Sequence, residues 1–311
     1  MNPALPPPSL VILILHFGAI ADSRACLASL QPDFPPDWHI LLIDNGTNSN
    51  AANHLHAEFP TLTPLTLADN HGWAGGNNIG MRWAQQHGAH AVCLLNNDTI
   101  APVASLRAML STLDMIGPCL LHPAIDYANP TEGIQLDPSQ NPSHKPLADH
   151  PDLYALDFAY GACLMIPLAV IARIGDFDER FFLQLEETDF FLRARAAAIP
   201  SLCLTSARIS HFESNSYGAR MTPRKLYYIS RNRLLLWEKQ DRSARGFLTL
   251  FRQLYWQAAK QSPTPLRWLL SRQPGARAMR AGLLDYATRR FGAAPDHAWL
   301  AAIPPTPTPR T

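Results

Sequence analysis

Charge is scarce in this 311-residue chain: Asp, Glu, Lys and Arg together make up 16%. Cysteine is scarcer. The five, Cys26, Cys93, Cys119, Cys163 and Cys203, are odd in number, widely spaced and without a CxxC pair. A zinc cluster or disulfide framework needs paired spacings, so these thiols read as reduced core residues of a cytoplasmic protein. No apolar run approaches the roughly 18 residues of a membrane span; Leu10–Leu15 stops at His16 and Gly18. The opening MNPALPPPS holds no basic residue, so no secretory signal is expected there. GxGxxG and GxxxxGK[ST] are both missing, which argues against a dinucleotide fold and a P-loop.

What is present is an alternation of aliphatic runs and helical stretches. Leu10–Leu15 and Trp38–Ile43 have the continuous apolar character of strands buried on both faces. Thr63–Leu67, Ala91–Leu95 and Ser201–Thr205 read as further strands. Helical stretches are expected around Ser23–Leu30, Gly75–Gln86, Glu186–Ala198, Leu226–Lys239 and Phe247–Ala258. Pro167 is placed for a helix first turn, and 174–182 reads as a loop. The region from Pro118 to Asp157, rich in Pro, His, Asp and Asn, is expected to be a long irregular loop with one strand at most. The tail from Pro295 is expected to be disordered. Strands alternating with helices predict a doubly wound α/β sheet.

Two predicted strands end in polar clusters, Asp44-Asn45-Gly46 and Asn96-Asn97-Asp98, with the Gly/Asn-rich stretch 70–80 between them. Asn, Asp and Gly also make ordinary turns. In open parallel sheets, however, ligands bind beyond the carboxyl ends of the strands. The glycines of 70–80 would let backbone approach a ligand closely. Trp73 suits the core as well as a site.

The series IDNG at 43–46, NHGWAGGNNIG at 70–80, LLNNDT at 94–99, GDFDERFF at 175–182, LEETDFFLRAR at 185–195 and HFESNS at 211–216 resembles family 2 glycosyltransferases, in particular their rhamnosyltransferase-like branch. The likeness covers about residues 10–235. It implies a GT-A fold: a mixed, mostly parallel, doubly wound sheet flanked by helices, here in a domain of residues 1–240, followed by a C-terminal helical extension over 241–311. It further implies a nucleotide-diphosphate sugar donor, dTDP-rhamnose with a UDP-sugar as the alternative, and a divalent cation, Mg²⁺ or Mn²⁺. It also implies inversion at the anomeric carbon, with a glycan or lipid-linked saccharide as acceptor in surface polysaccharide synthesis. A nucleotidyltransferase could share the topology, but it would carry a Gly-rich, basic loop after the first strand; here the chain reads His-Phe-Gly-Ala-Ile.

By the same resemblance, Asp44 with Asn45 reads the nucleotide base, and Asn70, Gly72, Trp73 and Asn77 line the nucleoside and sugar-phosphate region with Asn97. Asn96-Asn97-Asp98 stands where the family carries DxD: Asp98 supplies the final carboxylate for the cation, Asn96 replaces the first, and His211 completes the shell. Hard cations of this kind take oxygen ligands and share them with phosphate. Within Glu186-Glu187-Thr188-Asp189, Glu187 occupies the position of the catalytic base, with Glu186 as the alternative. Successive helical residues turn by about 100°, so Glu187 and Asp189 cannot share a face, whereas Glu186 and Asp189 do. Asp189 would then serve the helix N-terminal region. Asp178 and Glu179 fit turn positions or an acceptor loop. Arg231, paired with Asn232, either faces the diphosphate or holds the lid region together.

The net charge of +1 conceals an asymmetry. Residues 1–240 carry 15 basic and 22 acidic side chains, and residues 241–311 carry 11 and 3. Basic segments interleaved with Phe, Trp and Leu suit an anionic membrane surface, so peripheral attachment to the inner leaflet through 241–311 is expected; packing on the catalytic domain is the alternative. No nucleic-acid motif accompanies the charge, and no nucleic-acid partner is expected. The departures at Asn96 and Glu187 leave a second function class open, a non-catalytic homologue that binds sugar nucleotides.

Overall fold

The structure, a computed structural model, describes residues 8–47, 49–127, 136–212, 221–261, 264–297 and 300. Of the Pro-rich tail from Pro295, residues 298, 299 and 301–311 lie outside them, as do Glu213–Ser216 of the HFESNS motif. The chain divides into two compact units. The first takes the described residues up to Asp178 and those of Phe190–Ala219; the second takes Glu179–Asp189 and the described residues from Arg220 onward.

The first unit is built on a mixed sheet. Its strands are β1 (Leu10–His16), β2 (Trp38–Asn45), β3 (Thr63–Leu67), β4 (Ala91–Asn96), β5 (Thr99–Ile100), β6 (Leu120–Tyr127), β7 (Pro146–Leu147), β8 (His150–Leu156), β9 (Cys163–Pro167) and β10 (Ser201–His211). They lie in the order β3-β2-β1-β4-β9-β6-β10-β8-β7, with β5 against β10. β1 through β4 run parallel. β9 runs against both β4 and β6.

The aliphatic run of β1 is explained by its place between β2 and β4, where both faces are covered. Leu10, Ile12 and Ile14 pack in one core cluster with Leu27 of α1 (Ile20–Ser29), Leu55 of α2 (Ala51–Glu58) and Leu106 of α4 (Val103–Ile116). Val11 and Leu13 pack in the other with Met81 of α3 (Gly72–Gln86), Ile171 of α5 (Leu168–Ile174) and Phe190 of α6 (Glu186–Ala196). Each such side chain contributes about 2 kcal/mol by leaving water. The five cysteines are all free and buried, as expected.

The sheet winds outward from β1 in two directions, to β2 and β3 on one side and to β4 on the other. The winding therefore reverses between β1 and β4. Register brings the strand ends level: His16 faces Asp44 across β1 and β2, and Leu15 faces Asn96 across β1 and β4.

The described residues of Pro118–Asp157 are not an irregular loop. They hold β6, β7 and β8, and β6 lies inside the sheet between β9 and β10. His122 and Pro123 conceal this strand in the sequence. The structure accommodates both: His122 is buried with Nε2 3.2 Å from Ser201 Oγ, and the β10 register shifts opposite Pro123, which cannot donate a ladder bond. Pro167 ends β9 and caps α5 from outside its first turn, and α5 occupies seven residues before the turn at Gly175.

The second unit contains α7 (Pro223–Gln240), α8 (Ala244–Ala259), α9 (Pro265–Leu270) and α10 (Pro274–Ala287), with the stretch Glu179–Asp189. Thr222 and Ser243 cap α7 and α8 by accepting the N–H of Lys225 and of Gly246. Its core gathers Phe182, Leu226, Tyr227, Tyr228, Met279 and Leu300. No helix among the described residues is long and apolar enough to cross a membrane.

Candidate active site

The reversal between β1 and β4 is the place where an open sheet leaves a crevice for ligands. Side chains tie the two sides of it together. Asn97, just beyond β4, donates through Nδ2 to Ser23 Oγ of α1 at 2.9 Å. Ser23 Oγ in turn lies 2.7 Å from His16 Nδ1 at the end of β1. His16 and Ser23 are both fully buried, and His16 Nε2 has no hydrogen-bond partner among the described residues. Burial holds the His16 imidazole below its ordinary pKa, against the opposing pull of Asp44 and Asp22. Asp22 is shifted upward by burial and then by the charge of Asp98. His16, Asp22 and Ser23 are absent from the sequence expectations; the one available signal was an imidazole closing an otherwise aliphatic strand.

Asp98 and His211 meet at the short pairing of β5 with β10, where Thr99 faces His211. His211 Nε2 is 3.1 Å from Asp98 Oδ1, with the side chains 6% and 13% exposed. The Phe212 N–H donates to the Asp98 carbonyl at 2.9 Å, fixing the turn. Asn96 Oδ1 accepts the Trp73 indole N–H at 3.2 Å, and Trp73 also packs edge-on against Phe177. Trp73 is thus both core-packed and bonded to the polar cluster. Among the described residues no group of three or more His, Cys, Asp or Glu gathers. One carboxylate with one imidazole nevertheless fits a Mg²⁺ or Mn²⁺ that completes its shell with diphosphate oxygens and water.

Asp44 is fully buried. Its Oδ1 accepts the Thr47 N–H at 3.2 Å and the Thr47 hydroxyl at 2.5 Å, and its Oδ2 accepts the Ala51 N–H at the start of α2 at 2.9 Å. Asn45 Oδ1 accepts the His71 N–H at 3.0 Å, and its Nδ2 donates to Asn70 Oδ1 at 3.1 Å and to the Gly72 carbonyl at 3.0 Å. Asn70 Oδ1 also accepts the Gly72 N–H at 2.8 Å. This amide network builds the entrance to α3, where Gly72 takes φ +71°. Asn77 donates back to the Trp73 carbonyl one turn earlier. Asn78 brackets the Phe177 backbone, donating to its carbonyl at 2.9 Å and accepting its N–H at 3.0 Å. The helix begins at Gly72, three residues before the expected start, and two glycines face the sheet. A Cβ on Gly76 would lie 2.5 Å from Leu15 Cδ1, and one on Gly80 would lie 2.9 Å from Ile43 Cδ1. Their smallness serves helix-to-sheet packing.

In the second unit, Glu186 and Glu187 open α6. Burial, and then the charge of Glu187, push Glu186 well above the ordinary carboxyl range; burial raises Glu187 as well. The Oε2 atom of each has no hydrogen-bond partner among the described residues. The backbone leading to them is strained. Phe182, Gln184 and Leu185 take φ of +63°, +73° and +74°, the left-handed region that bulky residues avoid. Arg231 and Asn232 of α7 hold this loop. Asn232 Nδ2 lies 2.9, 2.8 and 2.7 Å from the carbonyl oxygens of Phe181, Leu183 and Gln184. Arg231 donates to the carbonyls of Phe181, Arg180 and Gly292 and to Asn232 Oδ1. Its guanidinium is fully buried against Tyr227 and Tyr228. Of the two roles open to Arg231, this geometry suits the holding one. Asp189 is buried and joins Lys239 and Gln240, each at 2.9 Å, where an N-terminal helix role was expected.

Residues 12–175 match the pattern of glycosyl transferase family 2, just over half of the chain. The chain belongs to that family. A low-salt glycan biosynthesis hexosyltransferase, Agl10 of Haloferax volcanii, is 30% identical over 167 residues, 50% of this chain. This family 2 chain spans about half of that relative's length, 52%. Among solved structures it is similar to S. aureus TarS 1–349, with a TM-score of 0.56 and 15% identity over 91% of this chain and 82% of that one. It is also similar to the mannosyltransferase PcManGT from Pyrobaculum calidifontis in complex with GDP-Man and Mn²⁺, with a TM-score of 0.57 and 13% identity over 93% of this chain and 89% of that one. A third likeness is GalNAc-T7 with UDP, GalNAc and Mn²⁺, with a TM-score of 0.59 and 12% identity over 83% of this chain and 52% of that one. The fold of this family 2 member is GT-A.

Proposed function

We propose that the protein is an inverting glycosyltransferase that moves a sugar from a nucleoside-diphosphate donor, dTDP-rhamnose for preference, to a glycan or lipid-linked acceptor of a surface polysaccharide. The carrying observation is the largely buried Asp98–His211 pair beside the reversal of the sheet. Asp98 and His211 would hold a divalent cation, whose chemistry is to neutralise the departing diphosphate. The acceptor hydroxyl attacks the anomeric carbon, the bond from that carbon to the diphosphate oxygen breaks with its electron pair, and Glu187 takes the hydroxyl proton. A base whose pKa lies above the ordinary carboxyl range suits that transfer. Asn97, Ser23 and His16 brace the cation strand against α1. Asp44, Asn45, Asn70, Gly72 and Asn77 shape the donor loop, with Trp73 on its floor; the base-reading role of Asp44 belongs to this proposal. Arg231 acts through the Glu186–Glu187 loop.

The neutral Asn96, engaged by Trp73, supports a second reading, a homologue that binds sugar nucleotides without turnover. A panel of dTDP-, UDP- and GDP-sugars with Mg²⁺ or Mn²⁺ separates the two. Donor turnover that falls roughly a hundredfold or more in Asp98→Ala supports the transferase. Tight donor binding with no turnover in any acceptor mixture supports the binder. We further propose that residues 241–311 bring the protein to an anionic membrane surface. The support is the run 242–284, which carries eight Lys or Arg and no Asp or Glu.

A further inference from the structure

The helix α8 carries two different outward sides. Along one, Phe247, Leu248, Phe251 and Tyr255 stand exposed, Leu248 at 64% and Phe251 at 59%. Successive positions of these residues fall within about a 100° arc of the helix. On the far side of α8 from that arc, α8 and α7 line an open cavity of about 590 Å³. Its walls include Arg233, Arg252, Lys260, Trp256, Gln253 and Gln257. Among the described residues that line it, three are cations and none is Asp or Glu. Arg233 is half-buried and its side chain donates to the Gln257 amide oxygen at 2.7 Å, with no carboxylate on it among the described residues. Burial holds its guanidinium below its ordinary pKa. A desolvated guanidinium without a counter-ion is costly unless an anion arrives. Trp256, 60% exposed, stands at the cavity wall, where an amphipathic ring suits the level of lipid headgroups.

We propose that this cavity receives the phosphate of an anionic membrane lipid, with Arg233, Arg252 and Lys260 as its cations, while the Phe247–Leu248–Phe251–Tyr255 stripe enters the acyl region. The charges complement a phosphate at the headgroup level, the apolar stripe complements the acyl region beneath, and one helix presents the two on different sides. The site rests on the membrane reading of residues 241–311. It adds a defined headgroup position to a diffuse attraction.

The test is co-sedimentation of the full chain with phosphatidylcholine vesicles, with and without phosphatidylglycerol, in the absence of sugar donor. Binding is expected only with the anionic lipid. Arg252→Gln and Lys260→Gln are each expected to weaken partitioning about five-fold, the worth of one cation near such a surface. Arg233→Gln should weaken it by more than Arg272→Gln, an exposed charge outside the cavity. Leu248→Ser with Phe251→Ser should abolish retention at high salt. Equal losses in Arg233→Gln and Arg272→Gln would overturn the site and leave membrane attachment standing. No binding by the unaltered protein would overturn both. Calorimetric binding of inorganic phosphate that Arg233→Gln removes, with vesicles left unbound, would assign the cavity to a free anion and overturn the lipid. Circular dichroism of Arg233→Gln guards against loss of fold; if that fold is lost, Arg252→Gln with Lys260→Gln, expected to weaken binding more than Arg267→Gln with Arg272→Gln outside the cavity, carries the comparison, and equal losses in the two pairs would overturn the site.

Discussion

Glu186 and Glu187 are neighbouring carboxyls with upward-shifted pKa values; under the proposed mechanism they govern the pH dependence of rate as well as of stability. The base acts only when ionised, so transfer should rise with pH through the elevated pKa of the Glu186–Glu187 pair. Glu187→Gln is expected to lower kcat by roughly 10²–10⁴. Glu186→Gln should keep the turnover and move the acid limb of the pH–rate profile downward, since one of two like charges is gone. The opposite pattern would make Glu186 the base. For stability the sign reverses from the common carboxylate case. A carboxyl raised in the folded chain favours folding when protonated. Its contribution is complete below the unfolded value and is lost as pH rises through the folded one. Glu186→Gln should therefore flatten this dependence and stabilise the chain at neutral pH by about 1–3 kcal/mol, read from urea unfolding across a pH series. Asp98 and His211, which the structure brings together, and the two glutamates proposed as base could be singled out because their order along the chain is distinctive. His16 and Ser23 were not, because a single buried imidazole or hydroxyl has no periodicity and gains its meaning only when strand register and α1 place it beside Asn97.

Single elements matter through what they let approach. α3 depends on Gly76 and Gly80 to lie close against β1 and β2. Gly80→Ala would place a methyl 2.9 Å from Ile43 Cδ1 and 3.0 Å from Leu13 Cδ1. Such crowding should cost about 1–3 kcal/mol, measured as a fall in the denaturation midpoint. The loop 181–185 depends on α7. Asn232→Ala leaves three carbonyls without that donor, which should destabilise by about 1–3 kcal/mol. It should also shift the pH–rate profile as the glutamates relax, a change that general destabilisation would not produce. The strands buried on both faces were readable from their apolar runs. β6 was not, since His122 and Pro123 are tolerable there only through a buried hydroxyl partner and a register shift. α2 and α4 drew no expectation, and neither opens with a side-chain cap in the structure.

At the scale of the molecule, the division between an acidic body, 1–240, and a basic extension, 241–311, was visible from counting alone. The compact units do not follow it, because Glu179–Asp189 joins the second unit from the middle of the chain. Hydrogen bonds from α7 to its backbone carbonyls tie that stretch to the second unit, and such bonds leave no compositional trace. The sheet topology was legible in class. The place of the reversal was not, since it depends on which neighbour β4 chooses.

Burial of every thiol has a practical consequence. Cys26, Cys119 and Cys203 are pushed up to about 12, so the native protein offers little thiolate to an alkylating reagent. Unfolding releases all five sulfhydryls at once. A short labelling pulse read by mass spectrometry then counts open molecules directly, and the shielded sulfhydryls leave maleimide chemistry free for a cysteine introduced at a chosen surface position.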